Sequence, residues 1–171
     1  MKKMMILWIC MVAILQAVNV GDILPQVTLD KENGATSSGQ PWHSKNLEGK
    51  VHVVLYMDPD ERKTVMAFLD TLNNKAYDKK QYSTIAIVNL AATWMPDIVL
   101  ETMLSKKQKE LHNTEFIFDK RKFLMNKWHL EDDASNILIL DKNSKIVYQK
   151  VGGVSQEEIK DISHILSTLI K

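Results

Sequence analysis

The chain has 171 residues, 45% of them hydrophobic, enough to bury the core of one ordinary domain. Its 22 basic and 21 acidic residues nearly cancel, which excludes the broad positive field of a nucleic-acid-binding domain.

The chain opens on an apolar segment. Lys2 and Lys3 precede an unbroken run of twelve apolar residues, Met4 to Leu15, and the chain turns polar from Gln16. A spanning helix needs about 20 apolar residues, so the run has the length of a signal-peptide core. Residues 1–20 are read as a signal peptide cut between Ala17 and Val20, and export is expected. The alternative is an uncleaved anchor, which would be the chain's only link to a membrane. A cut after Val20 would remove Lys2, Lys3 and Cys10, leaving 20 basic against 21 acidic residues and no cysteine. A domain without cysteine neither forms a disulfide nor attacks one, so thiol–disulfide exchange and thiol peroxidase chemistry are excluded.

From Gly21 to Lys171 the chain reads as a single domain. Val27 and Leu29 alternate with polar residues as in a short edge strand, and Lys31 to Gln40, with Gly34 and Gly39, reads as a hairpin turn or exposed loop. Leu47-Glu48-Gly49-Lys50 leads into an apolar run from Val51, of the kind required by a strand covered on both faces. That run ends at Asp58-Pro59-Asp60-Glu61, which has the makings of a helix start. Asp58 can accept from the first free N–H groups, Pro59 has no N–H to satisfy, and Asp60 and Glu61 suit the positive end of the helix dipole.

Val65, Phe68, Leu69 and Leu72 then keep helical spacing to about Asn73, with Met66 beside them. Tyr82 to Val88 is a second buried strand, Leu90 to Met95 a loop, and Pro96-Asp97 opens a helix running to about His112. Its inner face is predicted as Ile98, Val99, Met103, Leu104 and Leu111, with Lys106, Lys107 and Lys109 in solvent. Glu115 to Asp119 is a short strand, and Asn136 to Asp141 a third strongly apolar one that returns through a tight turn to an antiparallel Ile146 to Lys150. Ser155 and Glu158 match a capping box ahead of a closing helix with Ile159, Ile162, Ile165, Leu166 and Leu169 on one face. Strand, helix, strand, helix, strand, hairpin, helix is the order of a thioredoxin-like α/β fold, a central mixed β-sheet flanked by helices on both faces.

Particular residues carry a resemblance. Gly21, Pro25, Val27 and Leu29, the Leu47–Val51 lead-in, and Ile137–Asp141 followed by Asn143 and Lys145 resemble the peroxiredoxin and TlpA-type thioredoxin-like domains. Trp42, Ile87-Val88-Asn89, Pro96, Trp128 with Leu130, and Ala134-Ser135 are similar to the YtfJ-type family of small exported bacterial proteins. The resemblance implies a periplasmic location. It does not imply thiol chemistry: the cysteines of the redox relatives would lie around Met57 to Glu61, where there are none. Ser135 stands where those relatives place a cis-proline facing the site.

The remaining constellations are thin. Asp58, Asp60 and Glu61 fall short of the six to eight oxygens a calcium ion takes, and helix capping accounts for them. His43, His52, His112, His129 and His164 show no ligand spacing for zinc, and Glu131-Asp132-Asp133 reads as a solvated loop. No cofactor or metal is expected. Trp42, Trp94 and Trp128 are read either as core plugs or as anchors for a partner. By fold analogy, a binding groove is expected between Met57–Glu61, Leu90–Pro96 and Asp133–Ser135, with Met57, Asp58, Asp60, Trp94 and Ser135 as its candidate residues. The expected activity is binding of a periplasmic protein, peptide or other ligand. The alternative is a non-thiol enzyme using carboxylates, with or without a metal, at the Asp58–Glu61 turn.

Overall fold

The computed structural model describes residues 17–171, and the side chains of all of these except residues 62–64. The apolar run Met4 to Leu15, and Cys10 with it, lies outside the described residues.

In chain order the elements are β1 (Thr28–Leu29), β2 (Gly34–Thr36), β3 (Trp42–His43), β4 (Val51–Met57), α1 (Arg62–Asn74), β5 (Tyr82–Asn89), α2 (Asp97–Gln108), β6 (Thr114–Asp119), α3 (Phe123–Trp128), β7 (Asn136–Leu140), β8 (Ile146–Val151) and α4 (Gln156–Leu169). β1 and β3 form a small antiparallel ribbon. The other strands make one six-stranded mixed sheet in the order β2-β6-β5-β4-β7-β8. β4 runs parallel to β5 and antiparallel to β7, and β5 runs parallel to β6. The fold is thus the thioredoxin-like α/β arrangement expected from the order of elements.

β4 is buried along its whole length, as its apolar run requires, and its alternating side chains divide the core in two. Val51, Val53, Leu55 and Met57 face α1, α2 and α4, where they meet Phe68, Leu69, Leu104, Ile162 and Leu166. Val54 and Tyr56 face the other way, onto α3 and the N-terminal segment, where they meet Trp42, Leu124, Trp128 and Val18. On that side Trp42 and Trp128 pack edge to face with ring centroids 6.2 Å apart, and the Trp128 indole donates to the Pro25 carbonyl at 3.0 Å. Val18 is only 4% exposed, and its N–H donates to the Trp128 carbonyl at 3.3 Å.

The expected cap at Asp58 forms, but on a 3-10 turn rather than on α1, which begins at Arg62 with no side-chain cap. Asp58 Oδ1 accepts from the Asp60 N–H at 2.8 Å, and Pro59–Glu61 forms a 3-10 turn leading into the helix. The capping box of α4 is also formed: Glu158 N–H donates to Ser155 Oγ at 3.2 Å, and Ser155 N–H donates to Glu158 Oε2 at 2.8 Å.

Two expectations are corrected. Lys31 to Gln40 is not merely a turn, because Gly34–Thr36 adds an edge strand paired antiparallel with β6. A Cβ on Gly34 would fall 1.9 Å from the Phe118 carbonyl oxygen, so the backbones meet here only because the residue is glycine. The inner face of α2 is also different. Leu100 and Leu104 are buried, Leu111 is buried just beyond the helix, and Ile98, Val99 and Met103 point outward. Apolar residues lie on opposite sides of α2, so their spacing does not single out the face that meets the sheet.

Candidate functional site

The turn after β4 is held by three neighbouring segments. Pro59–Glu61 packs against the 3-10 turn Leu90–Ala92, which Asn89 caps by accepting the Ala91 N–H at 3.1 Å. From the other side, the Ser135 N–H donates to Glu61 Oε2 at 3.2 Å. The loop before β7 is pinned by Asn136, whose amide donates to the carbonyls of Glu131 and Ala134 and accepts from the Glu131 N–H. The segments proposed from sequence to border a groove are therefore neighbours around this turn.

Their side chains do not share one groove. Met57 and Asp58 line a cavity of about 210 Å³ with Pro59, Met66, Val88, Leu100, Met103, Leu104 and Lys107. Asp60 is exposed, and its N–H is bound to Asp58. Trp94 is 89% exposed, and Ser135 is 1% exposed with no hydrogen-bond partner for its hydroxyl. None of these three lines the cavity, which opens between the β4 turn, α1 and α2. Trp42 and Trp128 are core plugs, and Trp94 alone of the three stands in solvent.

The cavity wall is apolar except at its edge. Three of its residues are methionines, whose unbranched thioether chains adapt to the shape of what they touch. Lys107, expected in solvent, is half-buried and binds across to α1, with its ammonium 3.1 Å from Asp70 Oδ1 and 2.9 Å from Glu110 Oε2. These carboxylates, Glu110 first, raise its pKa and hold it protonated. Sequence reasoning missed Met66, Val88, Leu100, Met103, Leu104 and Lys107. The one available sign was Met66, an apolar residue lying just off the helical stripe of α1.

The carboxylates are occupied in other ways. Asp58 and Glu61 bind backbone N–H groups, and Asp132 pairs with Lys122 at 2.7 Å through both oxygens, which lowers its pKa. Among the described residues no group of three or more His, Asp or Glu side chains is placed to hold a metal ion. His52 is buried with its ring 3.2 Å from the Lys50 carbonyl, and burial lowers its pKa to about 4.

These features define a thioredoxin-like domain whose turn after β4 is a cysteine-free Met-Asp-Pro-Asp-Glu segment beside an apolar cavity. Residues 13–169 match the family described as "Bacterial protein of unknown function (YtfJ_HI0045)", and the chain belongs to that family. It is 24% identical over 149 residues to the "Uncharacterized protein YtfJ" of Escherichia coli (strain K12), covering 85% of this chain and 79% of that one. An "Uncharacterized protein" of Haemophilus influenzae is 25% identical over 159 residues, covering 86% and 85%. Among solved structures, the solution structure of a putative protein disulfide isomerase from Bacteroides thetaiotaomicron superposes with a TM-score of 0.65 at 20% identity, covering 90% of this chain and 91% of that one. That likeness concerns the fold.

Proposed function

We propose that this protein is an exported, periplasmic binding module without thiol redox activity, and that it holds an apolar side chain of a protein partner in the cavity between the β4 turn, α1 and α2. The cavity carries this reading. It lies at the end of the parallel strands, where open α/β sheets place their ligands. Its volume of about 210 Å³ falls below the roughly 300–1,000 Å³ that encloses a whole drug-sized ligand, and suits one or two side chains. Burying one large apolar side chain there contributes about 1.5–3 kcal/mol, a fitting anchor for a protein contact. Export rests on the N-terminal charge and apolar run, and redox inactivity on the turn that carries no cysteine.

The test titrates the apolar fluorophore 1-anilinonaphthalene-8-sulfonate into the full chain and into a Met103→Trp variant. Met103 is half-exposed at the cavity rim, so the larger ring fills the space without disturbing the buried core. Saturable binding weakened about tenfold in the variant is expected, the scale of one apolar contact. Equal binding by both proteins would exclude the cavity as the site.

A further inference from the structure

The outward side of α2 is left uncovered, although it is built like a surface meant to be covered. Trp94 is 89% and Ile98 70% exposed, and Val99 and Met103 are also exposed, so four large apolar side chains stand in solvent within ten residues of chain. The inward side of the same helix is apolar through Leu100 and Leu104, so α2 has apolar residues on both sides in its first two turns. A helix of that composition normally has neighbours on both sides. The patch is continuous with the proposed binding cavity, because Met103 belongs to both.

Charge indicates what the neighbour would be. At the end of α2, Lys106 and, just past the helix, Lys109 are exposed, and among the described residues neither lies within ion-pair distance of a carboxylate. The nearby acids are largely committed: Glu101 pairs with Lys120 at 3.0 Å and Glu110 with Lys107. Asp97 stays at the helix N-terminus, where the helix dipole favours it. The surface therefore runs from an apolar cavity, over an apolar ridge, to two unpaired ammonium groups. A flat bilayer would match the ridge but would leave the concave cavity empty. A protein segment can fill the cavity with one side chain while its backbone crosses the ridge.

Resting on the reading of the cavity given above, we infer that the partner is an acidic protein segment, with one bulky apolar side chain entering the cavity and neighbouring carboxylates meeting Lys106 and Lys109 across the Trp94–Ile98–Met103 ridge. Opposite charges at such a rim speed association and select the partner, and make binding sensitive to salt.

Trp94 reports on occupancy: among the described residues Trp42 and Trp128 are buried, and an exposed indole shifts its emission to shorter wavelength when covered. The Trp94→Phe control subtracts the signal of every other indole, Trp8 included. The full chain, with Trp94→Phe as the spectral control, is titrated with short synthetic peptides carrying a central Phe flanked by Glu, by Ser or by Lys. The Glu peptide is expected to produce a saturable blue shift. Its affinity is expected to fall about tenfold in the Lys106→Glu/Lys109→Glu variant, and again between low and high salt. No shift with the Glu peptide, or equal binding of the Glu and Lys peptides, overturns the inference. So does a shift seen only with phosphatidylglycerol vesicles, or one that rises with protein concentration alone, which would assign the ridge to a membrane or to a second copy. The fluorophore titration separates the two failures. If Met103-sensitive fluorophore binding persists, only the partner class is wrong; if it is absent too, the cavity reading falls with it.

Discussion

The two faces of the central sheet are finished to different standards. On the α3 face, polar groups and large rings are locked together. Asp119, fully buried, accepts the Tyr56 hydroxyl and the N–H groups of Arg121, Phe123 and Leu124, while Trp42 and Trp128 close over Val54 and Val18. On the α1/α2 face the same strands support an apolar cavity, three adaptable methionines and an exposed ridge ending in Lys106 and Lys109. Both faces bury an apolar core, but the α1/α2 face also leaves a cavity and an exposed ridge beside it. On the proposed reading, recognition falls on the rim of the α1/α2 face, so substitutions at that rim and in the α3 core should have different kinds of consequence.

The sharpest way to break that contrast compares two tryptophans. Trp128→Ala is expected to cost about 3–5 kcal/mol in chemical denaturation, since it removes a fully buried ring and its hydrogen bond to Pro25. Trp94→Ala is expected to stay within about 0.5 kcal/mol of the parent. Similar losses at both positions would end the distinction between the faces.

A second effect, nearly as large, is tied to pH. His52 has its pKa lowered from 6.5 to about 4 by burial, so between these values the unfolded chain binds the proton and the folded chain does not. Its contribution is complete above pH 6.5, falls as the pH drops towards 4, and amounts to about 3 kcal/mol over that window. Denaturation across pH 4–7 should show this slope in the parent and its loss in His52→Gln. Smaller again, Gly34→Ala is expected to cost more than about 1 kcal/mol, because the added carbon meets the Phe118 carbonyl. Hydrogen exchange should localise the loosening to β2 and the outer edge of β6, and uniform loosening would mean that β2 is not a separable edge.

What was legible in the sequence is what its local pattern determines. Val51–Met57, Tyr82–Asn89 and Asn136–Leu140 declare themselves through dense apolar, β-branched runs, and Ser155 with Glu158 declares the last helix through a local bond pair. The turn at Asp58 and Pro59 is equally local. β2 was hidden because Gly34-Ala35-Thr36 has no hydrophobic alternation, and its strand state comes from pairing with residues more than eighty positions away. The orientation of α2 was hidden because Ile98, Val99 and Met103 compete with Leu100 and Leu104 for the same role, and only packing on β6 decides between them. The cavity draws its wall from β4, α1, β5 and α2, so no single stretch of sequence contains it.

Val18 also bears on the proposed removal of a leader. It seals the Trp128 side of the core, and its N–H satisfies the Trp128 carbonyl, so a leader cut after Val20 would strip a plug from the finished domain. A cut at or before the Ala17–Val18 bond would keep it. If the chain is exported and cut as proposed above, N-terminal sequencing of the mature protein is expected to begin no later than Val18, so that the cut leaves the seal on that face in place.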